Sequence, residues 1–142
     1  MYIPASFKIE ELQELHDVVR AAPLANLVIR NDAGLVATPL PLLLDESDGE
    51  FGVLYGHVAK ANPIWRATAN PIGLAIFMGP DAYVTPSWYA TKRDTGKFVP
   101  TWNYVAVHAH GVPEFINDED RLLASSQDRP TSKKQGALNH GP

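Results

Sequence analysis

The 142-residue chain contains no cysteine. That single absence excludes disulfides, thiolate catalysis and cysteine-based zinc sites, and it fits a cytosolic protein. Long apolar runs are missing as well. No stretch approaches the roughly 20 residues that a membrane-spanning helix needs. The N-terminus lacks the basic-then-apolar layout of a signal peptide, so a cytoplasmic protein without membrane contact is expected. Nor is there an excess of positive charge. The formal net charge is −4, which gives no global attraction to phosphate backbones, and no helix-turn-helix spacing is present. Direct DNA binding by this chain is therefore poorly supported. Walker and Rossmann glycine patterns are absent, as is a Gly-x-Ser-x-Gly elbow. No acid–base pair or activated nucleophile stands out, which leaves catalytic residues unassigned.

What is present describes one globular domain. A chain of this length can bury roughly 68–70% of its unfolded surface and needs no staple. Leu12, Leu15, Val19 and Ala22 recur at helical spacing, predicting a helix from Glu10 to about Ala22 that Pro23 stops. Extended segments follow at Leu24–Arg30, Leu35–Leu44, Phe51–Val58, Ile72–Met78, Ala82–Pro86 and Thr101–Phe115. Asn31 to Gly34 reads as a hairpin turn in which Gly34 is free to take positive φ. Pro39 and Pro41 cannot donate to a ladder, which places part of their strand at an edge, a bulge or a ligand mouth. Asn62-Pro63 can start a short helix and Asn70-Pro71 can end it, giving two turns that carry Trp65 and Arg66. Asp118 to Ala124 begins a final helix. Ser125–Pro142 is polar, with Ala137 and Leu138 as its only aliphatic residues, and buries too little to offset ordering entropy. The expected division is a domain over residues 1–124 and a flexible tail over 125–142. Many short strands with Pro/Gly turns predict a mainly β protein, a small antiparallel barrel with flanking helices.

Two runs concentrate the chemistry. The first is Gly79-Pro80-Asp81-Ala82-Tyr83-Val84-Thr85-Pro86-Ser87-Trp88-Tyr89-Ala90-Thr91-Lys92, and the second is Val99-Pro100-Thr101-Trp102-Asn103-Tyr104-Val105-Ala106-Val107-His108. They hold two of the three tryptophans beside hydroxyls, Lys92 and a histidine. Such a mixture suits a flat, phosphorylated ligand better than it suits a core. Strand alternation puts Trp102, Tyr104, Ala106, His108 and His110 on one face and Asn103, Val105, Val107 and Ala109 on the other. The small apolar face belongs to the core. The aromatic face meets a ligand or a partner subunit, or else is a partly solvated outer face. Lys60 sits just before the short helix start capped by Asn62, where the charge and free N–H groups could converge on an anion. His57 precedes it by three residues. A solvated lysine beside a half-buried histidine is the plainer alternative. Lys92, Arg93 and Lys97 form a basic loop with Thr91, Thr95 and Gly96 that could close on a phosphate, or be an ordinary solvated charge run broken by Asp94. His108-x-His110 with His57 would be a thin metal set without a neighbouring carboxylate, and no metal is assigned.

The two runs, together with Met1-Tyr2-Ile3-Pro4, Pro41-Leu42-Leu43-Leu44 and Gly56-His57-Val58-Ala59-Lys60-Ala61-Asn62-Pro63, resemble the PaiB-type FMN-binding negative transcriptional regulators. These are a branch of the flavin-binding split-barrel superfamily. The likeness runs to about Gly111 and then fades; members usually continue with further helices, so the chain reads as shortened at its C-terminus. The resemblance implies a six-stranded antiparallel split barrel, normally a homodimer, with FMN at the subunit interface. It implies a basic residue at Lys60 against the FMN phosphate and favours Lys92 over its neighbours. The cofactor-binding set expected from residues and resemblance together is His57, Lys60, Asn62, Lys92, Thr101, Trp102, Asn103 and His108. The function implied is FMN-linked negative regulation of transcription, acting indirectly through flavin or redox state. A small FMN-dependent reductase or oxidase of the split-barrel type is the alternative.

Overall fold

The computed structural model of the chain describes residues 1–31, 34–66, 71–88 and 99–116. One helix, α1 (Leu12–Ala21), precedes five strands. These are β1 (Leu24–Asn31), β2 (Gly34–Asp45), β3 (Val53–Gly56), β4 (Gly73–Val84) and β5 (Thr101–Gly111). The strands form one antiparallel sheet in the order β3-β2-β1-β4-β5. The mainly β architecture with a flanking helix agrees with the expected fold class. The strand number differs: six segments were expected and five are seen among the described residues. Ile72–Met78 and Ala82–Pro86 are parts of one strand, β4, because Gly79-Pro80 makes a bulge and not a turn.

Alternation explains the core. Along β2 the inward residues Leu40 and Leu42 are buried while Pro39, Pro41 and Leu43 face out. Ala25 and Ile29 on β1 and Ala75 and Phe77 on β4 point to the same side and are buried. Val19 of α1 joins Ala25, Leu40, Leu42, Ala75 and Phe77 in one cluster, and Leu27, Leu44, Leu54, Val58, Val107 and Ala109 pack around it. Phe77, Ile29 and Ile64 are fully buried; each such side chain contributes roughly 1.5–3 kcal/mol relative to exposure. Gly34 opens β2 with φ +111°, as the predicted turn requires. Residues 32 and 33 of that turn lie outside the described set, as do Asp118–Ala124 and the tail from Ser125.

α1 is shorter than predicted by a residue or two at each end, with Arg20 in its last turn. Its buried face holds a residue that the apolar spacing does not reveal. His16 is 7% exposed. Its Nε2 lies 2.9 Å from the carbonyl oxygen of Phe51, and since a carbonyl only accepts, Nε2 carries the proton. Nδ1 lies 3.5 Å from Glu46 Oε2, and Arg20 pairs with both Glu46 and Asp17. Together these contacts pin α1 to the turn between β2 and β3. No helix among the described residues is long and apolar enough to cross a membrane.

Candidate functional site

The β4 bulge sets the geometry of the aromatic face. Before it, Leu74, Ile76 and Met78 pair with His110, His108 and Ala106; after it, Asp81 pairs with Tyr104 and Tyr83 with Trp102. Gly79 and Pro80 together stand opposite Val105. An inserted residue of this kind reverses the alternation beyond it. An unbroken strand would send Asp81 and Tyr83 to the inner side with Phe77. The bulge brings them outward, beside Trp102 and Tyr104. Both residues at the bulge suit it. Proline needs no ladder partner. A Cβ on Gly79 would sit 3.2 Å from that of Val105, so the close approach favours glycine.

The result is a cluster of large side chains facing solvent. Trp102 Nε1 donates to Asp81 Oδ1 at 2.8 Å. The Tyr83 and Trp102 rings are tilted by 50° with centroids 5.9 Å apart, within the range of favourable aromatic pairs. Tyr83, Trp102 and Tyr104 are 47%, 57% and 56% exposed. The predicted facing of β5 holds: Val107 and Ala109 pack on the core, and the ring-bearing positions lie opposite. Thr101 and Asn103 share the inner phase, opposite Val84 and Ala82, but are exposed at this end of the sheet. His108 is half-buried on the outer side. Burial holds its pKa below the ordinary 6.5, helped by the positive N-terminus and by His110.

The second group follows β3. His57 and Lys60 are exposed, and Asn62 is half-buried. The turn bearing Lys60 is braced at several points. Asn62 N–H donates to Ala59 O at 2.8 Å. Asn62 Oδ1 accepts from Ile64 N–H at 3.0 Å, and its Nδ2 donates to Thr38 Oγ1 on β2 at 3.2 Å. Trp65 Nε1 donates to Lys60 O at 3.0 Å, and Arg66 lies 5.1 Å from the Trp65 ring centre. The Asn62 cap is therefore where the sequence predicts it. Of the predicted two-turn helix, only the first turn falls within the described residues. Among the described residues the segment is a 3₁₀ turn, Pro63–Trp65, closed by Arg66 N–H on Pro63 O; residues 67–70 are outside the described set. A three-residue turn has no aligned dipole to offer, so what Lys60 brings to this braced loop is its charge and not a helix terminus.

The expected residues thus fall into two groups. His57, Lys60 and Asn62 belong to the β3 end of the sheet order; Thr101, Trp102, Asn103 and His108 belong to β5, the opposite end. Lys92, with Arg93 and Lys97, lies outside the described residues. No group of three His, Asp or Glu side chains gathers to hold a metal among the described residues. A hollow of about 410 Å³ between Val18 and Ala21 of α1, Ala22 just after it, and Met78, Gly79 and Pro80 of β4 is lined by none of the expected residues. Asp81 and Tyr83, although within the run Gly79–Lys92, and Trp65 are not in the expected cofactor-binding set. The signal for the first two is a change of phase: the alternation that buries Ala75 and Phe77 would also turn Asp81 inward.

Comparison with known proteins gives this geometry a setting. A family model described as "Putative FMN-binding domain" matches residues 1–137. "Protease synthase and sporulation protein PAI 2" of Bacillus subtilis is 35% identical over 121 residues, 84% of this chain and 56% of that protein. An uncharacterized protein of Saccharomyces cerevisiae is 28% identical over 162 residues, 98% of this chain and 95% of that one. An uncharacterized protein of Emericella nidulans is 35% identical over 138 residues, 78% and 55% of the two chains. The chain spans little more than half the length of the Bacillus and Emericella relatives.

Proposed function

The chain belongs to the FMN-binding domain family, and from that membership we propose that it is a PaiB-like, FMN-binding homodimer that restrains transcription indirectly, through flavin or redox state. FMN is the cofactor that the family match supports. The reading extends this to an assembly, to a cytoplasmic setting and to a division of labour among residues. Lys60, with His57 beside it, takes the phosphate. The Trp102 face, with His108 half-buried on it, lies where two copies meet around the ring system. Lys92 supplies a second cation, and Thr101 and Asn103 lie at the rim.

The donor set suits the ligand. An exposed ammonium on a turn held by side-chain and main-chain hydrogen bonds can meet a phosphate with little loss of freedom. Exposed indole and phenol rings offer the amphipathic surface that flavins and interfaces both use. When bound, the flavin supplies the redox chemistry, while the protein binds, orients and excludes water. The observation that carries the dimer is the separation of the two groups by sheet order, β3 at one end and β5 at the other: a second copy can set the β3 group of one chain beside the β5 face of the other. The net charge of −4 argues for indirect regulation, since nothing attracts DNA broadly.

The test is the visible absorbance of the purified protein, identification of the released cofactor, and sedimentation with and without FMN. Stoichiometric FMN on a dimer that FMN tightens is expected. A monomer holding FMN stoichiometrically at micromolar concentration overturns the interface, and nanomolar, sequence-selective binding to its own upstream DNA overturns indirect action.

A further inference from the structure

We propose that Asp81 is a positioning residue. It holds the Trp102 indole as a preset contact for the second copy that covers this face, and the proposal rests on the dimeric reading above. Trp102 stands 57% exposed on a strand at the end of the sheet order. An exposed indole without a partner turns among rotamers, and fixing it on association costs free energy. Here it is fixed beforehand. An ionised carboxylate only accepts and an indole N–H only donates, so the 2.8 Å contact between Asp81 Oδ1 and Trp102 Nε1 is complementary. Tyr83 adds its ring at 5.9 Å.

The backbone is built around this contact. The sheet gives up ladder pairing at Gly79 and Pro80, and that one-residue slip is what carries Asp81 and Tyr83 to the Trp102 side. A bulge that re-aims a carboxylate onto an exposed aromatic is a device for orientation. Large aromatic anchors are what interface centres depend on, and in a two-fold contact each copy presents the same preset ring to the other.

The experiment uses the full chain as wild type, Asp81→Ala, Asp81→Asn, Trp102→Phe and the Asp81→Ala/Trp102→Phe double variant. Self-association is read by sedimentation across concentration. Solvent exchange of the Trp102 indole N–H is read by NMR, with its resonance identified by its loss in Trp102→Phe. Asp81→Ala is expected to weaken association about three- to tenfold, the effect of setting one large side chain free, and to speed indole exchange. Asp81→Asn, whose side-chain carbonyl still accepts, is expected to stay within about twofold of wild type. In the Trp102→Phe background, where no indole N–H remains, Asp81→Ala is expected to change nothing. An equal loss in both backgrounds, or equal losses for Asn and Ala, overturns the proposal in favour of the Asp81 charge itself. A monomeric wild type removes the dimeric reading. Asp81 is then judged on the indole alone, and unchanged exchange in Asp81→Ala overturns its role.

Discussion

Truncating Trp102 to alanine separates two energies that most core substitutions mix. In the single chain the indole is 57% exposed. Among the described residues its fixed contacts are a hydrogen bond to Asp81 and a tilted ring pair with Tyr83. A solvent-facing hydrogen bond and an aromatic pair are each worth on the order of 0.5–1.5 kcal/mol, with the lower end appropriate in water. Folding of the single chain should therefore lose about 1 kcal/mol. At the centre of an interface, the same truncation costs about 2 kcal/mol or more, or roughly thirtyfold in the dissociation constant. Association should suffer well beyond folding. Sedimentation at several concentrations, with and without FMN, gives the first quantity. Urea unfolding at several protein concentrations gives the second, with the concentration-independent part reporting the single chain. Trp88, 73% exposed and outside the sheet, serves as the control position. If Trp102→Ala associates within about threefold of wild type, or if its fold weakens as much as its association, the assignment of this face is wrong.

Three further outcomes are expected. Lys60→Ala should weaken FMN binding about tenfold or more, the loss of a charged hydrogen bond, while leaving riboflavin, which lacks the phosphate, unaffected; equal effects on both ligands in a fluorescence titration would move the phosphate elsewhere. Gly52→Ala should destabilise by about 1–3 kcal/mol in urea, because Gly52 has φ +88° and a Cβ there would sit 2.7 Å from Leu44 Cδ1 and 3.1 Å from the Asp45 carbonyl oxygen; an unchanged midpoint would contradict the turn geometry. His108, held below 6.5 chiefly by burial, binds protons less readily folded than unfolded, so its share of stability is complete above pH 6.5 and is lost as the pH falls through its folded value; His108→Gln should flatten the urea midpoint between about pH 7 and 5, and an unchanged slope would remove His108 from this role.

Local signals account for much of the fold. Pro23 ends α1 because it cannot continue a helix, and Asn62 caps the turn that Pro63 begins. Both are decided within a few residues of chain. Val105, Val107 and Ala109 alternate with rings and imidazoles, which is enough to assign the inner face of β5. Non-local pairing decides the rest. Gly79-Pro80 carries the composition of a turn, and whether it turns or bulges depends on β5, more than 20 residues onward, taking up the ladder again at Asp81. The same limit hides His16. It lies on the helix face of Leu12 and Val19, where an apolar template passes over a histidine, and its acceptor is the carbonyl of Phe51, 35 residues away. The described first turn of the predicted two-turn helix is 3₁₀ and not α-helical for a local reason: Arg66 N–H bonds to Pro63 O, and its own ψ is 38°.

Within β4 the candidate site turns on a question of parity. The phase that places Ala75 and Phe77 inside would, in a regular strand, also place Asp81 and Tyr83 on the inner side. Inward, Asp81 would bring a carboxylate toward Val105 and Val107, where charge is costly without a partner. The shifted phase sends Ala82 and Val84 inward instead, opposite Asn103 and Thr101, and turns Asp81 and Tyr83 outward. One inserted residue between Phe77 and Asp81 reconciles both halves of the strand. Gly79 permits the close approach to Val105, and Pro80 gives up no N–H in leaving the ladder. The sequence pattern therefore contains the bulge, provided that the two halves of β4 are read as one strand whose phases conflict. Read as two strands, each half is self-consistent and the conflict vanishes. With it vanishes the reason for Asp81 to meet Trp102, which is why the aromatic face can be assigned from β5 alone while the carboxylate that orders it cannot.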